Sequence, residues 1–95
     1  MDSYELKPIT GQKSFYKKAI VYVIDDVEYL VSYYTIVISR DMCGRLHRHW
    51  RDWSATTGRH IKSFCGLCKK DYTALSVESV PERIDDAIQV SQILS

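Results

Sequence analysis

Proline and glycine are scarce in this chain, two and four residues in 95, which excludes a collagen-like, linker-rich or low-complexity architecture. Cysteine is also scarce and odd in number. Its three residues, two of them in a Cys65-x-x-Cys68 pair, are not the even, spread framework of a small secreted disulfide scaffold, and a reducing compartment suits them best. No run of apolar residues approaches the roughly eighteen needed to span a bilayer. The N-terminal stretch Met1-Asp2-Ser3-Tyr4-Glu5 has no basic segment leading into an apolar one, so the expectation is a protein that stays in the cytoplasm where it is made, with no membrane contact. Net charge is nearly absent, at +1, and no internal repeat is visible.

What the chain does contain is apolar and aromatic surface. Forty-five per cent of its residues are hydrophobic, with seven tyrosines and two tryptophans, a composition that folds rather than stays disordered. Ninety-five residues suffice for one core and leave no room for a second. Residues 1–95 therefore read as a single domain: an extended lead-in over 1–16, a core over 17–78, and an amphipathic C-terminal helix over 79–95. Charge is unevenly placed, with a local +6 over residues 40–70 and −4 over residues 71–95, so the chain is dipolar along its length.

Pro8 and the Thr10-Gly11 step interrupt any regular pattern in the lead-in, and order is expected to begin near Phe15. Ala19 to Ile24 is almost continuously apolar and β-branched, which suits a strand covered on both faces. Asp25-Asp26 supplies a turn. Glu28 to Ser39 again favours strand, with Ser32 or Thr35 marking a bulge, a bend or a split into two. After a turn at Asp41-Met42-Cys43-Gly44, the stretch from Arg45 to Trp50 alternates: Leu46, Arg48 and Trp50 face one way, Arg45, His47 and His49 the other. Ser54 stands at an N-cap position before Thr57, Ile61, Phe64, Cys65 and Cys68, which recur at helical spacing and predict a helix over 55–67, weakened by Gly58. Pro81 opens a second helical pattern, with Glu82, Asp85 and Asp86 at the positive end of its dipole and Ile84, Ala87, Ile88 and Ser91 along one stripe. The fold class is α+β: a small antiparallel meander of three to four strands packed against one helix, plus a C-terminal helix that packs on its own domain or joins a dimer.

Three constellations carry candidate chemistry. Cys65 and Cys68 with Cys43 and a histidine, His60 among the three, could give tetrahedral zinc its four ligands; a lone Cys-x-x-Cys on an apolar helical stripe reads first as core packing, and no cofactor is implied. The stretch Arg45-Leu46-His47-Arg48-His49-Trp50-Arg51-Asp52-Trp53 interleaves cations with aromatics, as surfaces that hold phosphates and stack bases do. Its alternative reading has Trp50 and Trp53 anchoring the core below a solvated Arg and His face. Ser54 to His60 gathers hydroxyls, backbone N–H groups and a basic side chain at a helix start, which is either an anion site or ordinary capping. No spacing argues for a nucleophile with its base, for paired carboxylates or for an open metal site, so the chain does not read as an enzyme.

The segments Thr10-Gly11-Gln12-Lys13-Ser14-Phe15-Tyr16, Ser32-Tyr33-Tyr34-Thr35-Ile36-Val37 and Ser54-Ala55-Thr56-Thr57-Gly58-Arg59-His60-Ile61-Lys62-Ser63-Phe64 together resemble a family of small uncharacterised proteins from phages and mobile elements of Gram-positive and gut bacteria. That pattern has a Gly-x-Lys-Ser-Phe-Tyr start, a Ser-Tyr-x-Thr-x-Val strand, a strand containing Trp, and a Ser-x-Thr-Thr-x-Arg-His-Ile-x-x-Phe helix. The resemblance covers roughly residues 10–78, ending in Tyr72-Thr73-Ala74-Leu75. Cys65, Cys68 and the acidic helix beyond Pro81 depart from it. The resemblance implies a bacterial host cell and an accessory role. The expected function is docking onto a host protein, in its sharpest form an anti-CRISPR-like inhibition of a CRISPR effector or other defence nuclease. The binding residues would be Arg45, His47, Arg48, His49, Arg51, Trp53, Thr56, Arg59 and His60. The alternative is a nucleic-acid-binding accessory protein using the basic face of residues 40–70.

Overall fold

Two tight turns crease the middle of the chain. Ile24 pairs with Val27 across Asp25-Asp26, and Ser32 pairs with Thr35 across Tyr33-Tyr34, so the apolar stretch from Glu28 to Ser39 is two strands rather than one. The computed structural model describes residues 1–9, 11 and 13–94. Its strands are β1 (Asp2–Glu5), β2 (Ala19–Ile24), β3 (Val27–Ser32), β4 (Thr35–Arg40) and β5 (Leu46–Arg48), followed by α1 (Ala55–Cys65), α2 (Lys69–Ala74) and α3 (Glu82–Leu94). The strands form one antiparallel sheet in the order of the chain. The α+β expectation holds, with an antiparallel sheet against helices and a C-terminal helix. No helix among the described residues is long and apolar enough to cross a membrane.

Two details of that expectation are corrected. The sheet has five strands, because Asp2–Glu5, expected to be lead-in, pairs with β2 from Asp2 opposite Val23 to Glu5 opposite Ile20. Every residue of β1 is exposed, so this edge strand is held by ladder hydrogen bonds and shows no apolar alternation to read. The break expected at Thr10 lies outside the described residues. The helix expected over 55–67 ends at Cys65, where Gly66 turns left-handed at φ 81° and its N–H donates to the Lys62 carbonyl. The short α2 follows it.

β2 shows why the sheet is covered on both sides. Ala19 and Val21 enter one cluster with Leu30, Ile38, Ile61, Phe64 and Tyr72, beneath α1 and α2. The alternate residue Tyr22 enters a second cluster with Tyr29, Val31, Ile36, Ile84 and Ile88, beneath α3. Three helices therefore cover two faces of one sheet, where one helix on one face was expected for the core. The split expected at Ser32 or Thr35 is the Tyr33-Tyr34 turn, with β3 ending at Ser32 and β4 starting at Thr35. A β-bulge lies further along, where Leu30 stands opposite Ile38 and Val31 opposite Ile36, so Val37 is the extra residue. The bulge sends both Val37 and Ile38 into the first cluster. Asp25 anchors α3 through a 2.7 Å ion pair with Arg83. Ile84 and Ile88 are buried against the sheet, and Val90, Ile93 and Leu94 near the end of α3 are exposed.

α1 starts as its sequence predicts, with the Thr57 N–H donating to Ser54 Oγ at 3.1 Å. Gly58 is not the weakness it seemed. A Cβ built on it would lie 2.4 Å from the Trp53 ring, so the absent side chain is what lets the indole cross the first turn of the helix and reach Tyr72, with ring centroids 5.6 Å apart. Gly58→Ala should therefore destabilise the fold by about 1–3 kcal/mol through overpacking, against the ~1 kcal/mol that helix propensity alone would gain. Urea denaturation decides the sign.

Candidate functional site

β5 is where expectation and structure diverge most. Arg48 pairs across the ladder with Ile38, and Ile38 faces the first cluster, so the Arg48 side chain points into the protein and is 8% exposed. Its guanidinium donates to four carbonyls: Nε to Trp50 at 2.8 Å, Nη1 to Thr73 at 3.2 Å and Leu75 at 3.1 Å, and Nη2 to Arg51 at 2.7 Å. The group also lies over the Tyr72 ring, 4.8 Å from its centroid. These carbonyls belong to the loop before α1 and to the end of α2, where backbone acceptors have no helical partner. Arg48 is thus not part of a solvated strand face: its guanidinium is buried and engaged within the fold. It is the donor that ties two loops to the sheet.

The histidines of the same strand are also engaged internally. His47 has both ring nitrogens on carboxylates, Nε2 at 2.9 Å from Asp41 and Nδ1 at 2.8 Å from Glu78. Only the imidazolium donates from both, and the bonds to Asp41 and then Glu78 raise its pKa. Asp41 is held below the ordinary carboxylate value by His47. His49 bonds Ser39 at 2.7 Å and the Glu78 carbonyl at 2.8 Å, and burial lowers its pKa. Together with the Glu78 N–H to the Arg48 carbonyl at 2.7 Å and the Arg48–Val77 bridge, they fasten the segment leading to α3 along β5.

At the helix start, His60 is 1% exposed and cannot meet a partner. Its Nδ1 lies 2.8 Å from Ser32 Oγ, which also bonds Thr57 Oγ1 at 2.9 Å. Burial lowers the His60 pKa. Phe15 meets the ring edge-on at 4.4 Å and Tyr33 stacks on it at 5.6 Å. This hydroxyl–imidazole pair is sealed by packing and works as a satisfied polar core. Trp50 and Trp53 pack against the first cluster, as the alternative reading had it, so Trp53 is an anchor within the fold. Thr56 is half-buried, and Arg45, Arg51 and Arg59 are exposed.

The zinc candidates do not converge. Cys43 and Cys68 are exposed, Cys65 is half-buried, and among the described residues no group of three or more His, Cys, Asp or Glu side chains is placed to hold a metal. Cys65 donates to the Ile61 carbonyl and Cys68 to Asp71. The apolar stripe of α1 thus stops at Cys65, whose thiol pKa is raised by burial. Cys68 stands outside the helix as the N-cap residue of α2.

A site absent from the sequence reading lies at the other end of the sheet. A cavity of about 550 Å³ opens between the 16–18 turn, the 33–34 turn and the end of α3. Tyr16, Tyr22, Tyr33 and Tyr34 line it, with Lys17 and Lys18; Ile20 and Val31 contribute apolar surface, and Ser3 and Gln92 polar groups. Tyr16, Lys17, Tyr33 and Tyr34 have φ of 52°, 63°, 48° and 71°, and the other non-glycine residues of positive φ among the described residues are Asp25 and Asp26 at the remaining turn. Bulky side chains pay about 1 kcal/mol or more each for that left-handed backbone. Gln92 Oε1 is buried without a hydrogen-bond partner. The available signal was the Tyr33-Tyr34 pair, aromatic residues where a two-residue hairpin loop favours Asn-Gly, standing between the Ser32 and Thr35 at which a split was expected.

Comparison with known proteins adds one finding. The model of DUF8033, a family of unknown function, matches residues 4–77, from β1 through α2, and leaves α3 outside. No curated protein and no solved structure matches the chain.

Two outcomes follow from the buried groups. Arg48→Met should cost about 3–5 kcal/mol, because it strands several buried carbonyls, and Arg48→Lys should not restore the loss, since an ammonium cannot span four acceptors; chemical denaturation measures both. His47 has a folded pKa above its ordinary 6.5, so its stabilisation is complete below about pH 6.5 and is lost as pH rises through the folded value. The stability difference between the parent and His47→Gln should be largest below about pH 6.5 and shrink as pH rises through the raised folded value. A difference that grows over that range would remove the imidazolium bridge.

Proposed function

We propose that this chain, which belongs to DUF8033, a family of unknown function, acts by binding rather than by catalysis, and that its recognition site is the tyrosine-lined pocket rather than the basic strand. The observation that supports this is the strain gathered there. Four non-glycine residues in left-handed backbone surround one cavity, and such residues persist where function needs a fixed side-chain geometry. Tyr16 and Tyr34 are 71% and 76% exposed, so packing does not account for their presence. Rigid tyrosines of this kind give large contact area at low entropy cost.

The setting of the proposal is the one the resemblance implies: an accessory protein of a phage or mobile element, working in the cytoplasm of a bacterial host. Docking onto a host protein, with a CRISPR effector or other defence nuclease as the sharpest target, is the second reading. It is favoured by Arg45, Arg51 and Arg59, the expected contact residues that are exposed.

Affinity capture from host lysate, with and without nuclease treatment, separates the two using Tyr34→Gly and the pair Arg51→Glu, Arg59→Glu. Tyr34→Gly relieves a left-handed residue, so it should gain about 1 kcal/mol of stability while losing the captured partner. The charge-reversed pair should keep it. Loss with the charge reversal alone would move recognition to the α1 side and support the docking reading.

A further inference from the structure

Resting on the reading of the pocket as the recognition site, we propose that the pocket binds a nucleotide, with phosphate at Lys17 and Lys18, the base against the tyrosine rings, and Gln92 reading an N–H of the base. The polarity of the lining runs one way. Its charged residues are Lys17 and Lys18, with no Asp or Glu among the described lining residues, so the cavity favours an anion at the turn. At the opposite side Gln92 lines the cavity, its side-chain oxygen buried and without a hydrogen-bond partner, close to the C-terminus of α3, where the helix dipole is negative. That end takes a donor. A ligand with a phosphate at one end and ring N–H or amino groups at the other matches both.

The walls select the shape between those ends. Four tyrosines line the cavity, and base–aromatic stacking is worth ~1–3 kcal/mol per base. The rings open to a base are those of Tyr16 and Tyr34, both exposed; Tyr33 supports the wall between them, stacked on His60 with the Lys18 ammonium over its ring, 5.3 Å from the centroid. Tyr22 and Val31 are buried and keep the lower surface fixed. A volume of about 550 Å³ falls within the ~300–1,000 Å³ of small-ligand sites. An aliphatic acid would leave the rings unused, and an acidic peptide would have no planar group for them.

The test is calorimetric titration of the full chain with AMP, adenosine, inorganic phosphate and a short single-stranded deoxyadenylate. AMP should bind at least tenfold more tightly than adenosine or phosphate. Lys17→Glu with Lys18→Glu, and separately Tyr34→Gly, should each weaken AMP at least tenfold, with Arg51→Glu, Arg59→Glu as the unaffected control. Folding is checked by thermal denaturation. Tighter binding of the deoxyadenylate assigns the nucleotide to a strand, and equal or weaker binding assigns it to the free pool; either supports the proposal. If no probe binds while capture of the lysate partner still depends on Tyr34, the nucleotide assignment falls and the pocket stands. AMP binding that ignores the lysine and tyrosine substitutions overturns the site itself.

Discussion

A guanidinium taken out of water must find acceptors for its donors, and the lower half of this protein is arranged around that requirement. Arg48 brings the loop carbonyls of Trp50 and Arg51 together with those of Thr73 and Leu75 at the end of α2. Its neighbour Tyr72 is fully buried, with its hydroxyl 2.8 Å from the Val37 carbonyl and 3.0 Å from that of Trp50. Val37 is the bulged residue of β4. One cation and one phenol therefore satisfy carbonyls that a loop and a six-residue helix would leave unpaired, and the phenol adds a second bond to the bulged Val37 carbonyl, which also accepts from the His49 N–H at 3.0 Å. The rest follows from that junction: β5 is held at the sheet edge, the chain turns into α1, and α2 closes over the first cluster. On the other face, His47 and His49 fasten the linker whose continuation is α3.

The consequence for function is a division of labour between the two ends of the sheet. Around β5, Arg48, His47, His49, Trp50 and Trp53 are engaged in building the fold, while Arg45, Arg51 and Arg59 of the expected recognition surface stay exposed. At the opposite end, the left-handed turn residues are costly to the fold, and Tyr16 and Tyr34 contribute little packing. Tyr16 and Tyr34 are exposed in left-handed backbone, where glycine or asparagine would be more stable. A chain that keeps tyrosine in such positions is giving up stability for side chains held at a fixed angle beside two lysines, which is the physical basis of the binding site proposed for it.

Much of the architecture was legible beforehand, for reasons that can be named. The double-sided burial of Ala19–Ile24 was written in an unbroken apolar run, the start of α1 in Ser54, and the docking stripe of α3 in Ile84 and Ile88 after Pro81. β1 and α2 were not, because the first buries none of its residues and the second buries Tyr72 alone, so neither has a periodic face to detect. The site was the least legible part. Alternation placed Arg48 correctly on the side of Leu46 and Trp50, but could not say that this side is the interior.

What the sequence determined by itself is what local pattern and covalent geometry control: strand and helix type, two-residue turns, the cap of α1 and the class of fold. Tertiary structure alone decided which cations are structural and which are free to bind. That choice depends on where carbonyls without partners meet, and those come from residues 50–51 and 73–75, far apart in the chain. It depends equally on the turns at 16–18 and 33–34, which the pairing of β2 with β3 brings side by side, the Tyr33 N–H donating to the Lys18 carbonyl at 3.0 Å. Proximity of that kind is a property of the register and not of any one segment.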